Sequence, residues 1–318
     1  MTLTQLEYVI AVDKHRHFAV AAESCFVTQP TLSMQIQKLE EELGFKIFDR
    51  SKQPVMPTEH GFEIIEHARK VIAERDALSE LVEAKKGVVK GEFKLGIIPT
   101  LAPYLLPLFI HSFTQKYPLI KLRIEELTTS ALIARLKEGK IDAGILVTPL
   151  HESGIKEEPL FYEEMLAYVS KANAVFKKDY VLPKDIDPEK LWLLEEGHCF
   201  RSQIMNLCHL RKKSEHAAHF EYEAGSLETL RRMVDLYDGI TVLPELATMD
   251  MTARQLTHLR NFKQPAPVRE VSLVIHRTFI KRRLVEALKH IILESIPEKI
   301  RKKKKLSLFL LQKINYRF

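Results

Sequence analysis

Cys199 and Cys208, in the segment GHCFRSQIMNLCH, are the side chains of this 318-residue chain best suited to covalent chemistry. A thiol reacts as its thiolate, and cationic neighbours favour that form. His198 and Arg201 flank Cys199, and Arg211, Lys212 and Lys213 follow. Cys199 therefore has the surroundings of a thiol that peroxide oxidises to a sulfenic acid, with Cys208 available to resolve it as a disulfide. If residues 199–208 form one helix, nine steps of 1.5 Å part the Cα atoms by about 13 Å. A disulfide needs about 4.4–6.8 Å, so bond formation would unwind the segment. Closing a loop of about ten residues restricts the chain by roughly 2.7 kcal/mol, enough to bias an element with two conformations of similar energy. On spacing alone, two buried structural cysteines are the simpler reading. A metal cluster of Cys208, His209, His216 and His219 matches no standard zinc spacing. Cys25 lies on the apolar face of a short helix and reads as core.

The elements around these cysteines alternate. Phe93–Ile98 reads as a strand, Pro99 to Phe113 as a helix start and helix, Leu119–Ile124 as a strand, Ser130–Glu138 as a helix and Ala143–Val147 as a strand. Such alternation predicts parallel sheets with covering helices, and ligands bind where strands end and helices begin. A second unit runs from Phe161 to about Pro267, with a strand at Met165–Val169, a helix at Leu227–Leu236 and a strand at Gly239–Pro244. Glu270–His276 is strand-like, and Lys281–Ser295 is helical. Thr100 falls at a strand end, where by itself it reads as a helix cap.

The first sixty residues are of a different kind. Phe18, Ala21, Ala22 and Cys25 form one short helical stripe; Leu32, Ile36, Leu39 and Leu43 form a second after a break at Phe26–Thr28. Thr28 is placed to cap the second helix, Pro30 fits its first turn and Gly44 ends it. Two helices joined by a tight turn are a helix-turn-helix unit, whose second helix enters the DNA major groove. Its outer face carries Gln29, Pro30, Thr31, Ser33, Gln35 and Lys38. Arg50 and Lys52 lie in a turn-rich wing. Residues 1–60 hold six Lys/Arg and eight Asp/Glu, so affinity leans on few phosphate contacts plus helix N-termini. Glu40, Glu41 and Glu42 lie at the far end of the recognition helix, where they need not face DNA. A long helical pattern from Thr58 to Lys86 follows, with Phe62, Ile65, Ala68, Ile72, Leu78 and Val82 as its apolar positions. Half polar and attached to a DNA head, it suits dimerisation.

The string AAESCFVTQPTLSMQIQKLEEELGFKIFDR with TEHG resembles the N-terminal module of LysR-type transcriptional regulators. HRHF at residues 15–18, GIIPTLAPYLLP, EEGHC, SLETLRRMV and DGITVLP are similar to the peroxide-sensing members of that family, over about residues 3–296. The resemblance implies an α/β protein with three parts: a winged helix-turn-helix domain at 1–58, a linker and dimerisation helix with hinge at 59–90, and a two-lobed effector domain at 91–297. That domain is similar to periplasmic binding proteins, its second lobe spans about 162–267, and a basic tail at 298–318 follows. It also implies Cys199 as the peroxidatic and Cys208 as the resolving cysteine, Thr100 and Thr129 as pocket hydroxyls, and His198, Arg201 and Arg269 as supports of the thiolate. No cofactor or metal is implied. Ser202 stands where the family often has an acid, and Leu236-Tyr237-Asp238 replaces smaller residues near an oligomer contact.

The implied partners are double-stranded promoter DNA, a second or further copies of the chain in a homodimer or homotetramer, hydrogen peroxide as signal and a cellular thiol reductant that resets the protein. The function expected is a regulator, not an enzyme. A LysR-type regulator with a small-molecule effector between the lobes, and a thiol peroxidase or disulfide reductase with a DNA-binding appendage, are the alternatives; the latter lacks a C-x-x-C motif. Met1–Thr4 opens no secretory signal and no apolar run approaches the roughly 20 residues of a membrane helix, so a cytoplasmic protein without integral membrane association is expected. Residues 298–318 carry +7 of the net +6, leaving −1 for the rest, so the basic character belongs to the tail.

Overall fold

A computed structural model describes residues 1–85, 90–195, 199–208, 224–277 and 282–302. They fall into two compact units that divide near residue 89.

The first unit opens with α1 (Leu3–His15). The Thr2 hydroxyl accepts from the Gln5 amide, and the Gln5 side chain accepts from the Thr2 amide. This reciprocal pair satisfies two donors that a helix start otherwise leaves orphaned. α2 (Phe18–Ser24) and α3 (Gln29–Leu43) follow. Leu32, Ile36 and Leu39 of α3 are buried with Val9 and Val12 of α1 and Ala21 and Ala22 of α2. Each large aliphatic side chain so buried contributes about 1.5–3 kcal/mol. Gly44 ends α3 in the left-handed region at φ 81°. Thr28 holds the N-cap position, but its hydroxyl meets that of Thr31 at 2.8 Å, not a backbone amide. Pro30 has removed one of the two amides that a cap can reach. Cys25 also departs from expectation: it sits half-buried at the margin of the core, where its amide closes α2.

β1 (Phe48–Asp49) and β2 (Met56–Pro57) pair antiparallel as a small wing. Glu40 is buried, and its carboxylate accepts from the amides of Ile47 and Phe48 at 2.9 and 3.3 Å. Lys46 and Arg50 reach the same group at 3.3 and 3.4 Å. One of the three glutamates at the far end of α3 is thus the pin between recognition helix and wing.

α4 (Glu59–Lys85) starts against that wing, with the Thr58 hydroxyl accepting from the Gly61 amide at 2.9 Å. Ile65 and Ala68 enter the head core, and Arg69 pairs with Asp13 of α1 at 2.6 Å. A Cβ on Gly61 would lie 2.0 Å from the Ile47 carbonyl oxygen. Gly61→Ala should therefore cost about 1–3 kcal/mol, the range for overpacking against atoms that cannot yield. The midpoint of thermal unfolding should fall by about 4–8 °C per kcal/mol for a unit of this size. An unchanged midpoint would mean that α4 does not start on the wing.

The second unit begins with β3 (Gly91–Ile97), α5 (Ala102–Lys116), β4 (Ile120–Glu126), α6 (Thr129–Lys137) and β5 (Ala143–Thr148). β3 pairs in parallel with both β4 and β5. Then come β6 (Ile155–Val169), β7 (Tyr180–Val181), α7 (Cys199–Leu207), α8 (Leu227–Leu236), β8 (Ile240–Pro244), α9 (Ala253–Leu256), β9 (Leu259–Phe262), β10 (Val268–His276), α10 (Arg282–Ser295) and α11 (Glu298–Lys302). β3, β4 and β5 are parallel as the alternation predicted, but the sheet as a whole is mixed. β10 lies between β5 and β6 and runs antiparallel to both. β5 and β6 therefore run in the same direction on either side of β10, joined by residues 149–154.

β6 serves both lobes. Its first part pairs with β10, and Met165–Val169 pairs with β8. Only that second part was visible as a strand, because Glu157, Glu158 and Pro159 break the pattern. The β6–β10 register shifts there and skips Leu160, and such a bulge tolerates proline.

Candidate functional site

α7 carries one cysteine at its start and the other just beyond its end. Phe200 and Ile204 are buried in the core of the second lobe, and Leu207 and Cys208 pack on its edge. Phe200, Ile204 and Leu207 recur at i, i+4 and i+7, the spacing of one helical face. The Cys208 amide donates to the Ile204 carbonyl at 3.0 Å, so helical bonding runs through to Cys208. The two Cα atoms are therefore separated by about 13 Å, twice the reach of a disulfide. Cys208 is a free thiol, and burial pushes it up to about 11. The side chain of Cys199 and the residues His198, His209, His216 and His219 lie outside the described residues.

Arg201 donates to the Leu194 carbonyl at 2.7 Å, which ties the first turn of α7 to the segment before it. Thr129 is buried in the first turn of α6. Thr100 and Arg269 meet directly. Nη1 of Arg269 donates to the Thr100 hydroxyl at 3.1 Å and Nη2 to the Thr100 carbonyl at 3.2 Å. The Arg269 guanidinium carbon also lies 5.1 Å from the centre of the Phe200 ring. A strand end of the first lobe, the β10 arginine and the residue after Cys199 are thus in one cluster. Thr100 does not cap α5: Leu101 holds that position and no side chain caps it.

Sequence reasoning missed Glu163. Its side chain is fully buried, as is that of Arg269, and it accepts from Arg269 at 2.7 Å. The Leu246 amide donates to its other oxygen at 3.0 Å. A buried pair like this gives little net stability while intact, yet losing one partner costs about 3–5 kcal/mol. The signal was thin: one of two adjacent glutamates in a strand whose neighbours are apolar.

In the head, Gln29, Pro30 and Lys38 are exposed on α3, with Thr31, Ser33 and Gln35 half-buried beside them. Gln5 donates to Gln35 at 3.4 Å. Arg50 is not a free wing residue. It donates to the Ser33 hydroxyl at 3.0 Å and lies 4.8 Å over the Phe18 ring. Lys52 is exposed and reaches Asp49 at 3.6 Å. Phe26, read only as a break between helices, is 96% exposed in the left-handed region at φ 56°.

Two family models match this chain: the bacterial regulatory helix-turn-helix protein of the lysR family over residues 3–62, and the LysR substrate binding domain over residues 86–297. The chain belongs to the LysR family of bacterial regulators. Among its relatives is the hydrogen peroxide-inducible genes activator of Dickeya chrysanthemi, 38% identical over 86% of this chain and 89% of that protein. Full-length OxyR from Pseudomonas aeruginosa, solved as a variant, superposes with a TM-score of 0.72 at 34% identity, covering 93% of this chain and 99% of that one. A Corynebacterium glutamicum OxyR variant with hydrogen peroxide bound gives 0.60 at 26% identity, over 92% of each chain.

Proposed function

We propose that this protein is a transcription activator that responds to hydrogen peroxide through its own cysteines, Cys199 reacting first and Cys208 closing a disulfide with it. The observation that carries this reading is the Thr100–Arg269 contact set against the residue that follows Cys199, on a helix with Cys208 at its other end. The relatives point the same way, since they are named for induction by hydrogen peroxide.

Cys199 opens α7, and a helix N-terminus favours a thiolate. The thiolate attacks one peroxide oxygen, giving a sulfenic acid and hydroxide. Thr100 and Arg269 offer a hydroxyl and a cation to orient the peroxide and steady the leaving oxygen. The Cys208 thiol then displaces water from the sulfenic acid. A cellular dithiol would take up the disulfide's oxidation and return both cysteines to the reduced state, which resets the regulator. Among the described residues no helix is long and apolar enough to cross a membrane, which accords with action on DNA in the cytoplasm.

The protein acts as a homodimer or a pair of dimers. Val71 and Leu78 are exposed one heptad apart on α4, a spacing that suits a second helix. Leu236 and Tyr237 form a further exposed apolar step at the end of α8. The direct test is to titrate the reduced protein with peroxide and map the disulfide by mass spectrometry. A Cys199–Cys208 bond at stoichiometric peroxide is the expected product; two unmodified thiols would end the proposal.

The head makes its own prediction. Gln29→Ala should change which DNA sequence is preferred, because Gln29 is exposed at the start of the recognition helix. Lys52→Ala should weaken all sequences alike and lower the salt slope by about one. Arg50→Ala should do both, since Arg50 also fixes Ser33. Footprint titrations at several salt concentrations separate these outcomes, and a base preference that follows Lys52 instead of Gln29 would reverse the orientation of the head.

A further inference from the structure

Glu163 is the most deeply buried acid at the site, and its partners define what it does. Nε and Nη2 of Arg269 both rest on its Oε1, and the Leu246 amide holds its Oε2. The guanidinium plane is thereby fixed. Two of the three donors left over point at Thr100, one to its hydroxyl and one to its carbonyl. A hydroxyl has one hydrogen and two lone pairs. With a cationic donor on one lone pair, the Thr100 hydrogen must point away from Arg269. It is then free to serve an acceptor.

We infer that Glu163 is a positioning residue for peroxide reduction: by fixing Arg269 it makes Thr100 present its hydroxyl hydrogen to the departing peroxide oxygen. This rests on the peroxide-sensing function proposed above. In the step concerned, the Cys199 thiolate pair forms the S–O bond as the O–O bond breaks. The departing oxygen leaves as hydroxide and takes a solvent proton to become water. Thr100 donates a hydrogen bond to that oxygen and is not consumed. Glu163 touches neither peroxide nor sulfur, so its effect passes through Arg269 and Thr100.

The test uses the full chain with Cys25→Ser and Cys208→Ser, so that Cys199 is the one thiol. Its rate constants are measured with hydrogen peroxide and with iodoacetamide, which reports thiolate availability without an O–O bond to break. Glu163→Gln should slow peroxide on the order of tenfold while iodoacetamide changes far less. In a Thr100→Val background the same change should add little, because the hydroxyl that it positions is already gone. Equal slowing with both reagents, multiplicative losses in the double variant, or an unchanged peroxide rate would each overturn the assignment. If Glu163→Gln does not fold by circular dichroism, Glu163→Asp keeps the charge and draws the guanidinium back by one methylene. The same selective loss is then required of it. A parent Cys199 that reacts with iodoacetamide but ignores peroxide would remove the function itself, a result distinct from any pattern among the Glu163 variants.

Discussion

Cys199→Ser should abolish the peroxide response, and Cys208→Ser should stop it one step later, at a sulfenic acid trapped on Cys199. The order follows from the two ends of α7. Burial pushes the Cys208 thiol up to about 11, so at pH 7 very little of it is thiolate. Cys199 sits at the helix start, where the free amides favour negative charge. In the Cys199→Ser variant, oxidation of Cys208 should therefore be slow and should quicken about tenfold per pH unit from pH 7 towards 11. The sign is that of a neutral thiol held in a buried site: raising the pH releases the reactive form. In Cys208→Ser, Cys199 should be oxidised readily at neutral pH. Dimedone labelling followed by peptide mass spectrometry reads both profiles. Cys25→Ser should leave the response intact. Equal, slow labelling of the two cysteines at neutral pH would sink the assignment of roles.

The residues that bear on this chemistry were legible to different degrees, for physical reasons. Helical periodicity gave α3 and α8, because a buried face repeats every three or four residues whatever lies opposite. It could not give Glu163 or Glu40. A buried acid breaks the apolar pattern, and its partners lie far away in sequence: Arg269 for Glu163, the wing amides for Glu40. The first half of β6 was lost for a related reason. Its glutamates and Pro159 read as loop, yet β10 pairs along it and a bulge absorbs the proline. Parallel pairing was over-predicted, since alternation of helix and strand says nothing about a late strand such as β10 inserting between two earlier ones. Thr100 was open to two readings, helix cap or pocket hydroxyl. The Arg269 contact and the absence of a side-chain cap on α5 favour the second.

Oxidation should dismantle α7 and change contacts elsewhere. The helix holds the sulfur-bearing residues at opposite ends, and a disulfide must bring their Cα atoms from about 13 Å to within about 6.8 Å. No rotation of side chains makes up that difference, so part of the helix unwinds. Phe200, Ile204 and Leu207 lie along one buried face, and at least one must leave its packing site. Exposing one large apolar side chain costs about 1.5–3 kcal/mol, against about 2.7 kcal/mol of loop restriction from the new bond. Terms of equal size mean that the oxidised segment settles by repacking its apolar face, not by leaving it in water. Phe200 also stacks on Arg269, so its departure would loosen the cluster that reacted. Hydrogen exchange should therefore rise in residues 199–208 and in the β10 segment around Arg269. It should fall at a surface that receives the displaced side chains, for which the exposed Leu236–Tyr237 step on a neighbouring subunit is suited. The DNA footprint should shift with it, because half-site spacing follows how two heads are held. An unchanged footprint, with exchange altered only within α7, would leave the disulfide without a regulatory role.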